Sequence, residues 1–147
     1  MELKRIRKTP VSSIMKKDIV ILDRTDNVSR AVQLMKQNRV TSVIVKPRDD
    51  DDVYGILTER DVLEKVIDPG VDAYRDPWNT PVSEVMSKPL ISVYPDMSLK
   101  YAIRLMRRVG IRHIAVMDGR TLVGVLSEAG ILNFVEEQLP PDEHVAL

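Results

Sequence analysis

The sequence predicts an α+β fold built from two copies of one β-α-β-β-α unit. Three observations predict it: the chain aligns with itself at a fixed offset, each half carries the same order of apolar runs and amphipathic stretches, and a connector rich in turn residues parts the halves. A shift of 71 lays TPVSSIMKK (residues 9–17) on TPVSEVMSK (80–88) and then residues 27–45 on 98–116 without a gap. Ala31/Ala102, Leu34/Leu105, Met35/Met106 and Val45/Val116 are shared across it. A shift of 69 then aligns GILTERD (55–61) with GVLSEAG (124–130), so the first half has two extra residues in its KPRDDDD loop. Halves of roughly 60 residues are small for independent cores. One pseudo-symmetric unit is expected, each half burying its core against the other.

The order of segments follows from that alignment. Residues 1–8 form an N-terminal basic segment, 9–67 the first repeat, 68–79 the connector, 80–136 the second repeat and 137–147 a C-terminal tail. In each repeat a short turn carrying Met15 or Met86 leads to IVIL (19–22) or LISV (90–93), short and β-branched enough for a buried strand. A helix follows, because Val28, Ala31, Val32, Leu34 and Met35 recur at three-to-four spacing, as do Leu99, Ala102, Ile103, Leu105 and Met106. Asn27 and Ser98 are the expected N-caps, and Met35 and Met106 read as core filler. Two strands come next, SVIV then VYGIL, and HIAV then LVGVL. The acidic loop joins the first pair; DGRT joins the second, its Asp-Gly being a tight hairpin signal. Each repeat ends as a helix, ERDVLEKVI or EAGILNFVEEQL. The connector DPGVDAYRDPWN reads as irregular, with Tyr74 and Trp78 expected to anchor it by packing.

Composition excludes several chemistries. There is no cysteine, hence no disulfide, thiolate nucleophile or sulfur-ligated metal. Lys+Arg and Asp+Glu both total 22, so no net field draws nucleic acid or an acidic membrane. No apolar run approaches the roughly 20 residues of a membrane span, and MELKRIRK leads into TPVSS, not an apolar signal core. A cytoplasmic location is expected.

The heptad supports two readings. In Thr58-Glu59-Arg60-Asp61 the threonine hydroxyl and the acid three residues on fit a capping box. In the second copy Ser127 keeps the cap while Gly130 replaces the acid, so capping does not require it. The other reading is a ligand site, in which a hydroxyl and free backbone amides meet a phosphate and a carboxylate grips the paired hydroxyls of a ribose.

The twofold repeat, the TPVSxxM opening and the Gly-apolar-apolar-Thr/Ser-x-x-Asp heptad resemble the cystathionine beta-synthase (CBS) domain, present as a tandem pair from Thr9 to about Val135. The resemblance implies a Bateman-type module with pseudo-twofold symmetry and two clefts for adenosine-containing ligands: AMP, ADP, ATP or S-adenosylmethionine. It assigns Thr58 and Asp61, with Arg60 beside them, to phosphate and ribose. It draws the other wall from the partner repeat: Ile91, Ser92, Arg112 and His113. The second cleft maps to Val20, Ile21, Thr41, Ser42 and Ser127, which lack both acid and base. One competent and one weaker site are therefore expected. The family often carries a proline where Ile44 and Ala115 stand, a departure that bears on adenine packing.

No nucleophile or base with an oriented partner is visible, so a non-catalytic regulatory module is expected, forming a homodimer and signalling to an effector protein. A structural interaction module with vestigial clefts is the alternative. A third reading is RNA or DNA binding through the strip of Lys100, Arg104, Arg107, Arg108 and Arg112, against which stands an aromatic fraction of 4%. Arg112 and His113 also read as ordinary edge charges, and Asp49 to Asp52 as a solvated loop tip without the pattern of a calcium loop. His144, in a polar tail, leaves no histidine pair for a metal.

Overall fold

A computed structural model of the chain describes residues 2–70 and 75–141. Its elements are α1 (Glu2–Lys8), β1 (Ile21–Leu22), α2 (Val28–Asn38), β2 (Ser42–Val45), β3 (Gly55–Thr58), α3 (Glu59–Val62), β4 (Ser92–Val93), α4 (Leu99–Val109), β5 (His113–Asp118), β6 (Thr121–Ser127) and α5 (Glu128–Gln138). Each repeat is thus strand, helix, strand, strand, helix, as the periodicity predicts. In each three-stranded sheet the first strand pairs parallel and the last antiparallel to the middle one.

The chain divides into two compact units, and their boundaries do not follow the repeats. One is Asp18–Leu90; the other joins residues 1–17 to 91–147. The core of the first contains Leu22, Val28, Ala31, Met35, Val43, Val45 and Leu57, completed by Val82 and Val85 from the opening of the second repeat. The core of the other contains Leu99, Ala102, Met106, Ile114, Val116 and Leu126, completed by Val11 from the opening of the first. The two openings are exchanged. Backbone hydrogen bonds fix the exchange: Thr80 O accepts from Val28 N at 2.9 Å, and Thr9 O from Leu99 N at 2.8 Å. α2 and α4 therefore each have their first N–H satisfied by the other repeat's threonine.

This exchange explains the glycine that heads each heptad. The Met86 side chain lies against Gly55, where a Cβ would come within 2.5 Å of its sulfur. Met15 lies against Gly124 still more closely, with a Cβ there 2.7 Å from Cγ and 3.0 Å from the methionine Cβ. The TPVSxxM opening and the glycine of the heptad are thus two halves of one contact.

Several expectations need correction. β1 and β4 span two residues each, since only Val20 O and Ile91 O of the preceding residues continue the pairing, to Ile44 N and Ala115 N. Asn27 caps α2 through Arg30 N, but Ser98 makes no side-chain cap; the Thr9 carbonyl already serves the N-terminus of α4. Trp78 is 64% exposed and anchors nothing by burial. The described connector is held by polar turns instead: Asp76 accepts from Trp78 N and Asn79 Nδ2, its carbonyl accepts from Thr80 Oγ1, and Pro77 O accepts from Ser29 N. Tyr74 lies outside the described residues. The basic segment forms α1, an element the sequence reading does not foresee, by burying Ile6 in the core of the second repeat.

The acidic loop is only partly a solvated tip. Asp52 turns inward, accepting from Arg48 N at 2.8 Å and pairing with Lys88 Nζ at 2.6 Å. The hydrogen bond from Lys88, then those from the Arg48 and Val53 amides, hold its carboxyl far below the usual aspartate range. The second repeat closes the same gap with a tight turn at Gly119, φ 62°.

Candidate functional site

The heptad of the first repeat is a polar knot at the junction of β3 and α3. Thr58 is extended, and its hydroxyl accepts from Asp61 N at 3.1 Å. Asp61 Oδ2 accepts from Thr58 N at 2.9 Å and from Thr58 Oγ1 at 3.1 Å. This is a complete capping box, and the carboxylate is buried, not turned to solvent. Beyond Val62 the helix widens into a π-type turn, Leu63–Ile67, closed by Asp68 N on Leu63 O at 2.9 Å. Lys65 lies in that turn and reaches Asp61 Oδ1 at 3.0 Å. Ser87 Oγ makes a longer approach to the same oxygen, 3.5 Å.

The second heptad keeps half of this. Ser127 Oγ accepts from Gly130 N at 3.0 Å, and no carboxylate returns the bond. α5 then runs as a regular helix, with Phe134 at the place of Lys65 and packed against the core. Capping thus survives without the acid.

The remaining site residues fall into place within each unit. In the unit Asp18–Leu90, Ser42 pairs with Thr58 across the sheet and Thr41 O accepts from Glu59 N at 3.1 Å. Val20 is half-buried and Ile21 exposed at the start of β1. Arg60 is exposed and pairs with Glu64 at 3.2 Å. In the other unit His113 pairs with Ser127 and is half-buried, while Arg112 is exposed and its carbonyl accepts from Glu128 N at 3.0 Å. Ile91 is half-buried and Ser92 exposed beside Ala115. Sequence reasoning missed Lys65 and Ser87. A signal for the first exists: it stands four residues beyond Asp61, one turn along the helix.

Two further features concern the helices. A groove of about 500 Å³ in the first repeat is lined by Val32, Met35, Val40, Val62 and Leu63, with Lys36 and Arg39 among its polar members. On α4, Lys100 and Arg104 lie over the Tyr101 ring, at 4.9 and 5.5 Å from its centre. Among the described residues no helix is long and apolar enough to cross a membrane, and no cluster of acidic and histidine side chains could hold a metal. His144 lies outside them.

Comparison with known proteins gives the same outline. The CBS domain matches residues 11–68 and again 82–137. The CBS domain-containing protein YhcV of Bacillus subtilis is 33% identical over 117 residues, covering 80% of this chain and 79% of that one. Two archaeal relatives, from Methanocaldococcus jannaschii and Methanopyrus kandleri, are each 28% identical, and the chain spans 34% and 63% of their lengths. Among solved structures, a hexameric CBS-CP12 protein from bloom-forming cyanobacteria superposes with a TM-score of 0.78 at 37% identity, covering 87% of this chain and 73% of that one. A CBS-domain protein from Burkholderia ambifaria gives 0.79 at 29% identity, covering 92% and 99%. Two matches in one chain, each containing its own heptad, make this protein a member of the CBS domain family, with the domain present as a tandem pair.

Proposed function

We propose that the chain is a non-catalytic regulatory module of the cytoplasm that binds an adenosine-containing ligand, AMP, ADP, ATP or S-adenosylmethionine, at a site built on the first heptad. The observation that carries this reading is the difference between the heptads: the first holds a buried carboxylate beside a threonine hydroxyl, and the second has Gly130 at the place of that acid and a serine at the place of the threonine. A carboxylate accepts hydrogen bonds, and vicinal ribose hydroxyls are donors of the right kind. The family resemblance assigns Thr58, Asp61 and Arg60, with Ile91, Ser92, Arg112 and His113, to the stronger site, and Val20, Ile21, Thr41, Ser42 and Ser127 to the weaker one. Ligand shifts the module between arrangements by its differential affinity for them, and an effector protein reads the shift.

A homodimer is proposed through the helices. Leu63 is 60% exposed and Leu132, its counterpart, 67% exposed, and Val32 and Ile103 are exposed at matched positions on α2 and α4. The hexameric relative shows that assembly occurs among similar chains. Mass spectrometry of the small molecule that co-purifies, followed by thermal shift with the four named ligands, tests the function. A retained adenosine compound and a raised Tm are expected. No shift with any of them would favour a structural interaction module, and a steep salt dependence of RNA or DNA affinity would favour the basic strip.

A further inference from the structure

The carboxylate of Asp61 is already saturated by its own chain. A carboxylate offers about four acceptor positions, and four donors approach: Thr58 N and Thr58 Oγ1 on Oδ2, Lys65 Nζ and Ser87 Oγ on Oδ1. Lys65 is equally committed. Its three N–H bonds point to Asp61 Oδ1 at 3.0 Å, Val85 O at 3.1 Å and Ser87 Oγ at 3.4 Å. The capping box claims Oδ2 through a backbone amide that has no other partner in the knot, so Oδ1 is the oxygen open to exchange.

We propose that Lys65 is a latch on this site, which a vicinal diol such as a ribose must displace from Asp61 Oδ1 in order to bind. This rests on the reading of Asp61 as the sugar-binding acid. The displaced bond has a consequence for the strand of chain beyond it. Lys65 ties Asp61 to Val85 and Ser87, and between them Met86 fills the space over Gly55 while Ser87 exchanges backbone bonds with Ile56 at 3.0 and 2.8 Å. Ligand at Asp61 therefore loosens the opening segment of the second repeat, a physical route from occupancy to output. The latch belongs to the first repeat alone. Phe134 replaces Lys65 in the second, where the helix is regular and the acid absent.

The test uses AMP as probe, titrated by calorimetry into the wild type, Lys65→Met and Ser87→Ala, with folding checked by circular dichroism. Lys65→Met keeps the apolar stem and removes the charge. Since the Lys65 side chain is 43% exposed, its ion pair is partly screened, and AMP is expected to bind about two- to fivefold tighter in Lys65→Met. Ser87→Ala is expected to tighten binding less. Hydrogen exchange supplies the readout that affinity alone lacks: AMP is expected to speed exchange at the Met86 and Ser87 amides of the wild type but not of Lys65→Met. Equal or weaker AMP binding by Lys65→Met, with the wild type binding normally, overturns the latch and leaves the site. Absence of AMP binding in the wild type and both folded variants overturns the sugar-binding assignment itself.

Discussion

The two repeats share the contacts that seat the exchanged openings and differ most in the polar residues placed around them. In both, an exchanged methionine lies on the heptad glycine, a threonine carbonyl serves the long helix, and a hydroxyl caps the last helix. Only the first adds an acid, a lysine and a widened helical turn. The lesson is that the scaffold constrains the glycine and the hydroxyl, whereas nothing in the fold demands Asp61. A residue that one copy can lose without harm to packing is the one whose retention calls for another explanation.

The glycines give the largest expected effect on stability. Gly124→Ala forces a methyl onto three atoms of Met15, including its Cβ, and is expected to cost about 1–3 kcal/mol by chemical denaturation. Gly55→Ala is expected to cost less, because it meets the flexible sulfur end of Met86 first. A double-mutant cycle pairing Gly124→Ala with Met15→Ala should show a coupling that relieves part of the loss; simple additivity would argue against the contact.

Caps come next. Thr58→Ala and Ser127→Ala are each expected to lower stability by about 1 kcal/mol, with the former the more damaging because it also removes the hydroxyl that bonds Asp61 Oδ2. Equal losses would mean that the reciprocal half of the first box adds little.

The smallest effect concerns the ends of α2 and α4. Both finish in the left-handed region, at Arg39 with φ 54° and at Gly110 with φ 78°. Arginine is strained there and glycine is not, yet glycine also loosens the unfolded chain. Arg39→Gly is expected to raise stability by about 0.5 kcal/mol after these opposing terms. A loss would show that the Arg39 side chain contributes where it lines the groove.

Much of this is legible in the sequence because it rests on local pattern. Helix periodicity, the SVIV strand, the Asp-Gly hairpin and the Thr58 box are each written within a few residues. The exchange of openings is not, since residues 9–12 meet residues 95–99 across a long separation that carries no periodic trace. α1 also escapes, as its single buried side chain, Ile6, finds its partners only in the folded second repeat. Trp78 misleads for the opposite reason: a large aromatic suggests burial, but the Asp76 turn needs only backbone and small polar partners. Lys65 is readable as an i+4 pair with Asp61, while its reach to Val85 and Ser87 depends on the exchanged segment.

The most direct measurement is the stoichiometry of adenine-nucleotide binding by calorimetry, compared among the wild type, Asp61→Ala and Ser127→Ala. One strong equivalent in the wild type and in Ser127→Ala, with loss of that equivalent in Asp61→Ala, is the expected result. An Asp61→Ala protein that binds as tightly and in the same ratio as its parent would contradict the assignment of ligand binding to the first heptad.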